Sequence, residues 1–230
     1  MRKIVYNGLC EGPNLRCIRV TERQQEELNM NNKKFGTREM VTTAMLCAIL
    51  LIMSFTPLGY LNIGPLAISF NMIPVAIGAI ALGPVGGMIL GGMFGITSFL
   101  QCIGIGGTSA MGVILFEINP VLAFLQRFVP RLLAGLLAGL VYKGVKRISN
   151  PMVACFVTGF SAALLNTVLF MSALVLLFGN TDYVQGLMGG RNVILFICAF
   201  VGINAVVEMI AASAIVGIVG KVLAKFLIRR

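Results

Sequence analysis

Long apolar runs separated by short polar stretches dominate the chain. Most of the runs approach the ~20 residues that a helix needs to cross a bilayer, and Gly or Pro closes several of them, as at helix ends. They are continuous and rich in Leu, Ile, Ala and Gly, whereas membrane β-strands are shorter and alternate. The pattern predicts an all-α polytopic membrane protein with six transmembrane helices in one bundle. The runs cover about 40–56, 68–82, 85–103, 120–142, 151–178 and 192–220.

The composition excludes most soluble proteins. Of the 230 residues, 58% are hydrophobic and 11% are charged, whereas soluble domains average about 45–50% and about 25%. The net charge of +10 would indicate nucleic-acid binding in a soluble protein. In a membrane protein the same excess bears on topology, because basic residues collect in cytoplasmic loops.

Three basic clusters fall on one side of the membrane if six spans alternate. The positive-inside rule then places both termini in the cytoplasm, where the clusters can also contact anionic lipids. We therefore expect a multi-pass protein of the cell membrane, in contact with the lipid bilayer and without a nucleic-acid partner. The clusters are Lys33, Lys34 and Arg38; Lys143, Lys146 and Arg147; and Lys221, Lys225, Arg229 and Arg230.

Polar segments bound the apolar domain at both ends. Residues 1–36 carry mixed charges and no apolar signal core, so we expect a cytoplasmic leader without fixed structure. Met30 directly precedes a polar, basic stretch typical of a chain start, and we hypothesise that residues 1–29 are an upstream extension rather than native chain. The six-helix domain then covers 37–225, followed by a basic cytoplasmic tail at 226–230.

The sequence lacks the motifs of catalysis. There is no histidine and no CxxC pair among six scattered cysteines, which speaks against metal and haem sites. No P-loop, nucleophile elbow or zinc-protease motif is present. We expect no enzyme, no metal and no cofactor. A binding or transport subunit that draws its energy from another protein fits better.

Charged residues inside apolar spans are costly and are candidates for function. Arg127 and Arg131 are four residues apart in the fourth run, and Asn204 and Glu208 have the same spacing in the sixth. Counted from the cytoplasmic end, Arg131 and Glu208 lie at one depth, and Arg127 and Asn204 at another. We hypothesise an ion pair between Arg131 and Glu208, with the second layer facing an outward cavity. Alternatively, all four form one structural polar network.

Further polar residues of the spans are Asn71, Gln101 and Asn166. Each can form a helix–helix hydrogen bond or contact a ligand.

Small residues allow close approach of helices. Ala44 and Ala48 form a small-xxx-small pair in the first run. Glycines recur in the third and fourth runs, and for them we expect packing within the chain. They are Gly83, Gly86, Gly87, Gly91, Gly92, Gly95, Gly135 and Gly139.

Five stretches in fixed order resemble a known family. They cover the AxxxA motif at 44–48, the sequence at 66–75 that leads into Leu-Gly-Pro-Val-Gly-Gly at 82–87, the stretch at 91–99, Val-Pro-Arg-Leu-Leu-Ala-Gly at 129–135, and Asn-Ala-Val-Val-Glu at 204–208. Over about residues 37–225 the chain resembles the substrate-binding S components of energy-coupling factor (ECF) vitamin transporters. The two last stretches look most like pantothenate-specific members.

The resemblance implies a mechanism and partners. Ala44 and Ala48 would dock the membrane partner, the T component, which works with two ATPase subunits. A toppling motion would carry a water-soluble vitamin inward across the membrane of a Gram-positive-type bacterium. The loops between spans one and two and between spans three and four would close the binding site.

Pantothenate has one carboxylate, which Arg127 or Arg131 could bind, and an amide and hydroxyls that suit Asn and Gln. We therefore expect the ligand to contact residues among Arg127, Arg131, Asn71, Gln101, Asn166 and Asn204. Folate or riboflavin remains open as the ligand, since phenylalanines can stack on a ring. A stand-alone secondary transporter of a small organic anion and a scaffold without a ligand are further alternatives.

Overall fold

The computed structural model describes residues 36–56, 59–62, 67–106, 109–188 and 205–220. Contacts divide the chain into two compact units, Met1–Met40 and Val41–Arg230. Of the first unit only residues 36–40 are described, and they begin helix α1. The predicted leader up to residue 35, the predicted tail and Asn204 lie outside the described residues.

The described part consists of helices and one small hairpin. Four helices are long and apolar enough to cross a membrane: α1 (Thr37–Phe55), α2 (Met72–Cys102), α4 (Pro120–Ile148) and α5 (Pro151–Phe178). The other helices are α3 (Ala110–Ile118), α6 (Asp182–Met188) and α7, described over Ala205–Gly220, while strands β1 (Tyr60–Asn62) and β2 (Ala67–Ser69) pair antiparallel. The prediction of a helical membrane protein is confirmed, and the hairpin is an addition to it.

Helix α2 is broken at Gly83, where φ is 77° and ψ is −166°. An L side chain rarely adopts this conformation, whereas glycine does so without cost. The two arms fold back on each other, because Gly78 lies against the Leu90 side chain and Gly87 against Ala79. In a straight helix these pairs would be about 18 and 12 Å apart. The division between the second and third apolar runs, predicted at Gly83 and Pro84, is therefore confirmed.

The predicted bounds differ from the helices in several places, and the fourth run, predicted to end at 142, belongs to a helix that continues to Ile148. The second run was expected to be helical from residue 68, but 67–69 form strand β2 and the helix begins at Met72. The connections between the predicted runs, at 104–119 and 179–191, contain the helices α3 and α6. A short apolar segment is equally compatible with a strand and with a helix, and pairing with β1 decides between them here.

The glycines of α2 and α4 form one antiparallel seam. Backbone meets backbone where Gly87 faces Gly135 and where Gly91 faces the carbonyl of Arg131, so a methyl group at either glycine would collide. Toward the ends of the seam, Gly139 packs on Pro84 and Gly95 on Phe128. The expected packing of these glycines within the chain is confirmed. The seam fixes the height of Arg131 relative to α2.

Candidate functional site

Two arginines of α4 are buried in the bundle. Arg127 and Arg131 each expose 6% of their surface, and a separation of four residues places them on one helix face. Both guanidinium groups reach the ring of Phe170 on α5, at 5.3 and 5.1 Å from the ring centroid. The two charges therefore share one layer between α4 and α5.

Arg131 is held on several sides. Its guanidinium carbon lies 4.4 Å from the centroid of Phe94 on α2 and 5.1 Å from that of Phe170, so two rings contact the cation. Nη1 donates a hydrogen bond of 2.8 Å to the carbonyl oxygen of Arg127. Cation–π contacts of this desolvated kind contribute about 2 kcal/mol. Arg131 is thus a fixed part of the bundle.

Glu208 on α7 completes the surroundings of Arg131. The electrostatic field of the Arg131 guanidinium and the backbone of Ser69 both favour the charged form of Glu208, while its Oε1 is buried without a hydrogen-bond partner. The side chain exposes 8% of its surface. The structure thus brings together Arg131 and Glu208, which sequence depth alone had matched, and it adds the end of strand β2.

Arg127 has neutral partners. Nη1 donates to Ser98 Oγ on α2 at 3.3 Å, and Nη2 donates to Ser109 Oγ, just before α3, at 3.2 Å. Its Nε is buried without a hydrogen-bond partner. Within the described ranges, no carboxylate forms an ion pair with Arg127.

The buried layer therefore carries one positive charge in excess. In the described part of the chain, its buried ionisable residues are Arg127, Arg131 and Glu208, and the single carboxylate interacts with Arg131. An unpaired charge is expensive in a desolvated interior. A ligand with one negative charge would neutralise the layer at Arg127.

The other expected site residues differ in their surroundings. Asn71 is fully buried at the N-terminus of α2, where neither polar side-chain atom has a hydrogen-bond partner. Asn166 lies one turn before Phe170 and has a buried Oδ1 without a partner. Gln101 instead donates to the carbonyl oxygen of Ser54 on α1 at 2.6 Å. That bond is the helix–helix contact we had weighed against ligand binding.

Sequence reasoning missed four residues of this region. Ser98, Ser109 and Phe170 contact the arginines from three other segments of the chain, and single serines and phenylalanines of apolar runs carry no pattern that singles them out. Gln126 is fully buried, and both its polar atoms lack a partner. An amide inside an apolar run was a signal that could have found it.

Two connections between long helices reach the layer, each through a serine. The hairpin follows α1, and its last residue, Ser69, contacts Glu208 through the backbone. The segment after α2 ends at Ser109, which contacts Arg127. These are the two connections that the family resemblance associates with closure of a binding site.

Four phenylalanines of α2, α3 and α4 form a separate cluster. Phe99 contacts Phe116 and Phe124 at centroid distances of 5.9 and 5.1 Å, and Phe124 stacks on Phe128 at 5.1 Å. These rings pair with one another. Phe94 and Phe170 are the rings that contact the arginine layer.

Long apolar helices around a buried, charged layer define a helical membrane protein with an interior polar site. A family model described as the substrate-specific component of ECF transporters matches residues 38–220. The chain therefore belongs to this family, whose members are components of transporters rather than enzymes.

Two curated relatives carry more specific names. A pantothenate transporter PanT of Leuconostoc mesenteroides is 31% identical in an alignment of 207 positions that covers 84% of this chain and 95% of that protein. A pantothenic acid transporter PanT of Lactococcus lactis subsp. cremoris is 27% identical in an alignment of 159 positions that covers 65% of this chain and 78% of that protein. The resemblance to pantothenate-specific members seen in the sequence is confirmed.

Proposed function

We propose that this protein is the substrate-binding subunit of an ECF-type importer that captures pantothenate from outside and delivers it inward. Family membership and the names of the two relatives support the class of activity. The observation that carries the choice of ligand is the single positive charge in excess at Arg127. Pantothenate is a monoanion and supplies the one negative charge that balances it.

Arg127 is the carboxylate anchor in this proposal. Arg131 is engaged by Glu208 and by two aromatic rings, whereas the partners of Arg127 are hydroxyl groups. A carboxylate is a stronger acceptor than a hydroxyl, so it can replace either serine. In this proposal Arg131 and Glu208 have a structural role beside the site and do not bind the carboxylate of the ligand.

Amide groups provide for the rest of the ligand. Buried polar atoms without partners are rare in folded proteins and call for an explanation. Those of Asn71, Gln126 and Asn166 match in kind the amide and hydroxyl groups of pantothenate. Gln101 and Asn204 remain candidates for ligand contact. The amide nitrogen of Gln101 already donates to the carbonyl oxygen of Ser54.

Topology and partners follow the family in this proposal. We infer six spans with both termini in the cytoplasm of the cell, in the membrane of a Gram-positive-type bacterium, and a complex with a T component and two ATPase subunits. Ala44 and Ala48 are exposed on α1, as a docking surface for the T component requires.

Fusions of alkaline phosphatase test the proposed topology. The enzyme fused to either terminus should be inactive, and an active fusion would contradict the cytoplasmic placement of that terminus.

Titration calorimetry on the purified chain in nanodiscs tests the ligand. Pantothenate is expected to bind tightly with one site per chain, and folate and riboflavin to give no heat. Tight binding of folate or riboflavin in its place would make this an S component for another vitamin. Uptake of an organic anion into vesicles that hold this chain alone, driven by an ion gradient, would favour the stand-alone secondary transporter.

A further inference from the structure

We propose that Ser109 and the N-terminus of helix α3 complete the carboxylate site, so that the bound ligand ties α3 to Arg127. This inference rests on the proposed function, since it assigns the surroundings of the same carboxylate. It adds a residue that recognises the ligand and a link between ligand binding and helix α3.

Ser109 caps helix α3. Its backbone is extended, with φ −86° and ψ 106°, and its Oγ accepts a hydrogen bond of 3.3 Å from the N–H of Gly112. The same Oγ accepts from Arg127 Nη2 at 3.2 Å. One hydroxyl therefore joins the positive end of a helix dipole to a buried cation, and its proton remains available for donation.

Gly112 lets the first turn of α3 approach the arginine. A methyl group at this position would lie 3.0 Å from Arg127 Nη2 and 2.7 Å from the Sγ of Cys102. Backbone N–H groups at a helix N-terminus favour anions. The guanidinium lies beside them, more than nine-tenths buried, with its Nε unpartnered. Two independent sources of positive potential thus meet at one point.

The guanidinium offers a fork for a carboxylate. Nε–H and Nη2–H point in parallel along one edge of the group and match the two oxygens of a carboxylate. Nε has no hydrogen-bond partner, and Nη2 is bonded only to the neutral Ser109. A carboxylate that takes both donors lies beside Ser109, whose hydroxyl oxygen accepts from the same Nη2.

The hydroxyl of Ser109 then has a second role. Its Oγ still accepts from the N–H of Gly112 and donates its own proton in a hydrogen bond to the carboxylate. The ligand then lies between α4 and α3, and its departure requires both contacts to break. Occupancy of the site therefore holds the N-terminus of α3 in place, and the main kinetic effect falls on dissociation.

Three variants of the full chain separate this role from capping. Ser109→Thr keeps the hydroxyl, Ser109→Ala removes it, and Ser109→Asp caps the helix as well as serine does but places a carboxylate against Arg127. Binding of pantothenate and of its neutral alcohol analogue, pantothenyl alcohol, is measured in nanodiscs by calorimetry. Dissociation rates come from stopped-flow competition, and hydrogen exchange reports on residues 110–118.

For pantothenate, Ser109→Ala is expected to weaken binding about 5- to 10-fold, mainly through faster dissociation, while Ser109→Thr stays within about twofold. Ser109→Asp should weaken binding about 100-fold or more, since its carboxylate competes for Arg127. The neutral alcohol should show little change in any variant. Ligand-dependent protection of 110–118 should be lost in Ser109→Ala and Ser109→Asp.

Unchanged pantothenate affinity in Ser109→Asp, or equal losses for pantothenate and the alcohol, would overturn the inference while leaving the proposed function intact. If the unaltered chain binds no pantothenate at all, the proposed function fails and this inference fails with it. The two failures are therefore told apart by the unaltered chain.

Discussion

Arg127 and Arg131 are one helical turn apart and equally buried, yet their surroundings assign them different roles. Arg131 has Glu208 and two aromatic rings as partners. Arg127 has two hydroxyls and one ring. In a medium of low dielectric constant, this difference in charge compensation decides which arginine can accept a further anion.

Replacing Arg127 with Gln should weaken pantothenate binding. Loss of a charge-assisted hydrogen bond costs about 1.5–3 kcal/mol, or about 10- to 150-fold in the dissociation constant. Calorimetry checks this, with Lys143→Gln as the control, because Lys143 is an exposed cation of the same helix. Equal affinities of the two variants would show that Arg127 is not the anchor.

Replacing Arg131 with Gln should destabilise the protein before it affects recognition. It leaves Glu208 buried without its cation, which costs about 3–5 kcal/mol. The unfolding temperature in detergent should drop, and adding Glu208→Gln should recover much of the loss. An additive effect of the two changes would mean that the pair does not interact.

At the scale of elements, two features set the geometry of the site. The reversal at Gly83 folds the two arms of α2 together, and the glycine seam brings the second arm against α4. Because the two helices contact each other backbone to backbone, the ring centroid of Phe94 on α2 can lie 4.4 Å from the guanidinium carbon of Arg131. Small residues thus determine the position of a large, charged one.

Gly87→Ala should be destabilising despite the better helix propensity of alanine. Its methyl group would collide with the backbone of Gly135, and overpacking of this kind costs about 1–3 kcal/mol. Gly144→Ala on α4 is the control, since nothing lies within 4 Å of the added methyl group. It should gain up to about 1 kcal/mol. Thermal unfolding measures both, and equal shifts would contradict the seam.

At the scale of the whole molecule, the outer surface of the helices is apolar. Exposed large residues include Met45, Ile49 and Ile52 on α1 and Leu164 and Val168 on α5. In water such surfaces would aggregate, whereas lipid tails cover them at no cost. Ala44 and Ala48 interrupt this surface on α1 with small side chains, which gives a partner helix room to approach.

The paired change Ala44→Trp and Ala48→Trp should abolish transport and leave ligand binding intact. Indole rings would block close approach of the T component without reaching the arginine layer. Transport is measured as uptake of labelled pantothenate by cells that hold the complete transporter. Binding is measured by calorimetry on the isolated subunit. Leu164→Trp with Val168→Trp, equally spaced and exposed on α5, should transport normally. Normal uptake by the α1 variant would remove the docking role.

The sequence alone determined the elements that depend on local patterning. Apolar runs of the right length predicted α1, α4 and α5 closely, and Gly83 marked the reversal in α2, because helix formation in lipid depends on hydrophobicity and on where the backbone can turn. Four-residue spacing and depth predicted that Arg131 and Glu208 share one level, and the pair stays a prediction. The short helices α3 and α6 were missed, since their lengths lie below what an apolar pattern can distinguish from a loop.

Only the tertiary structure decided how the two arginines differ. Ser98 and Ser109 reach Arg127 from 29 and 18 positions away in the chain, and Phe94 and Phe170 enclose Arg131 from two other helices. A pattern along one helix shows which face is buried, but it contains no information about the side chains that the neighbouring helices present. Charge compensation is a property of that packing, and so the excess charge at Arg127 became visible only in the folded chain.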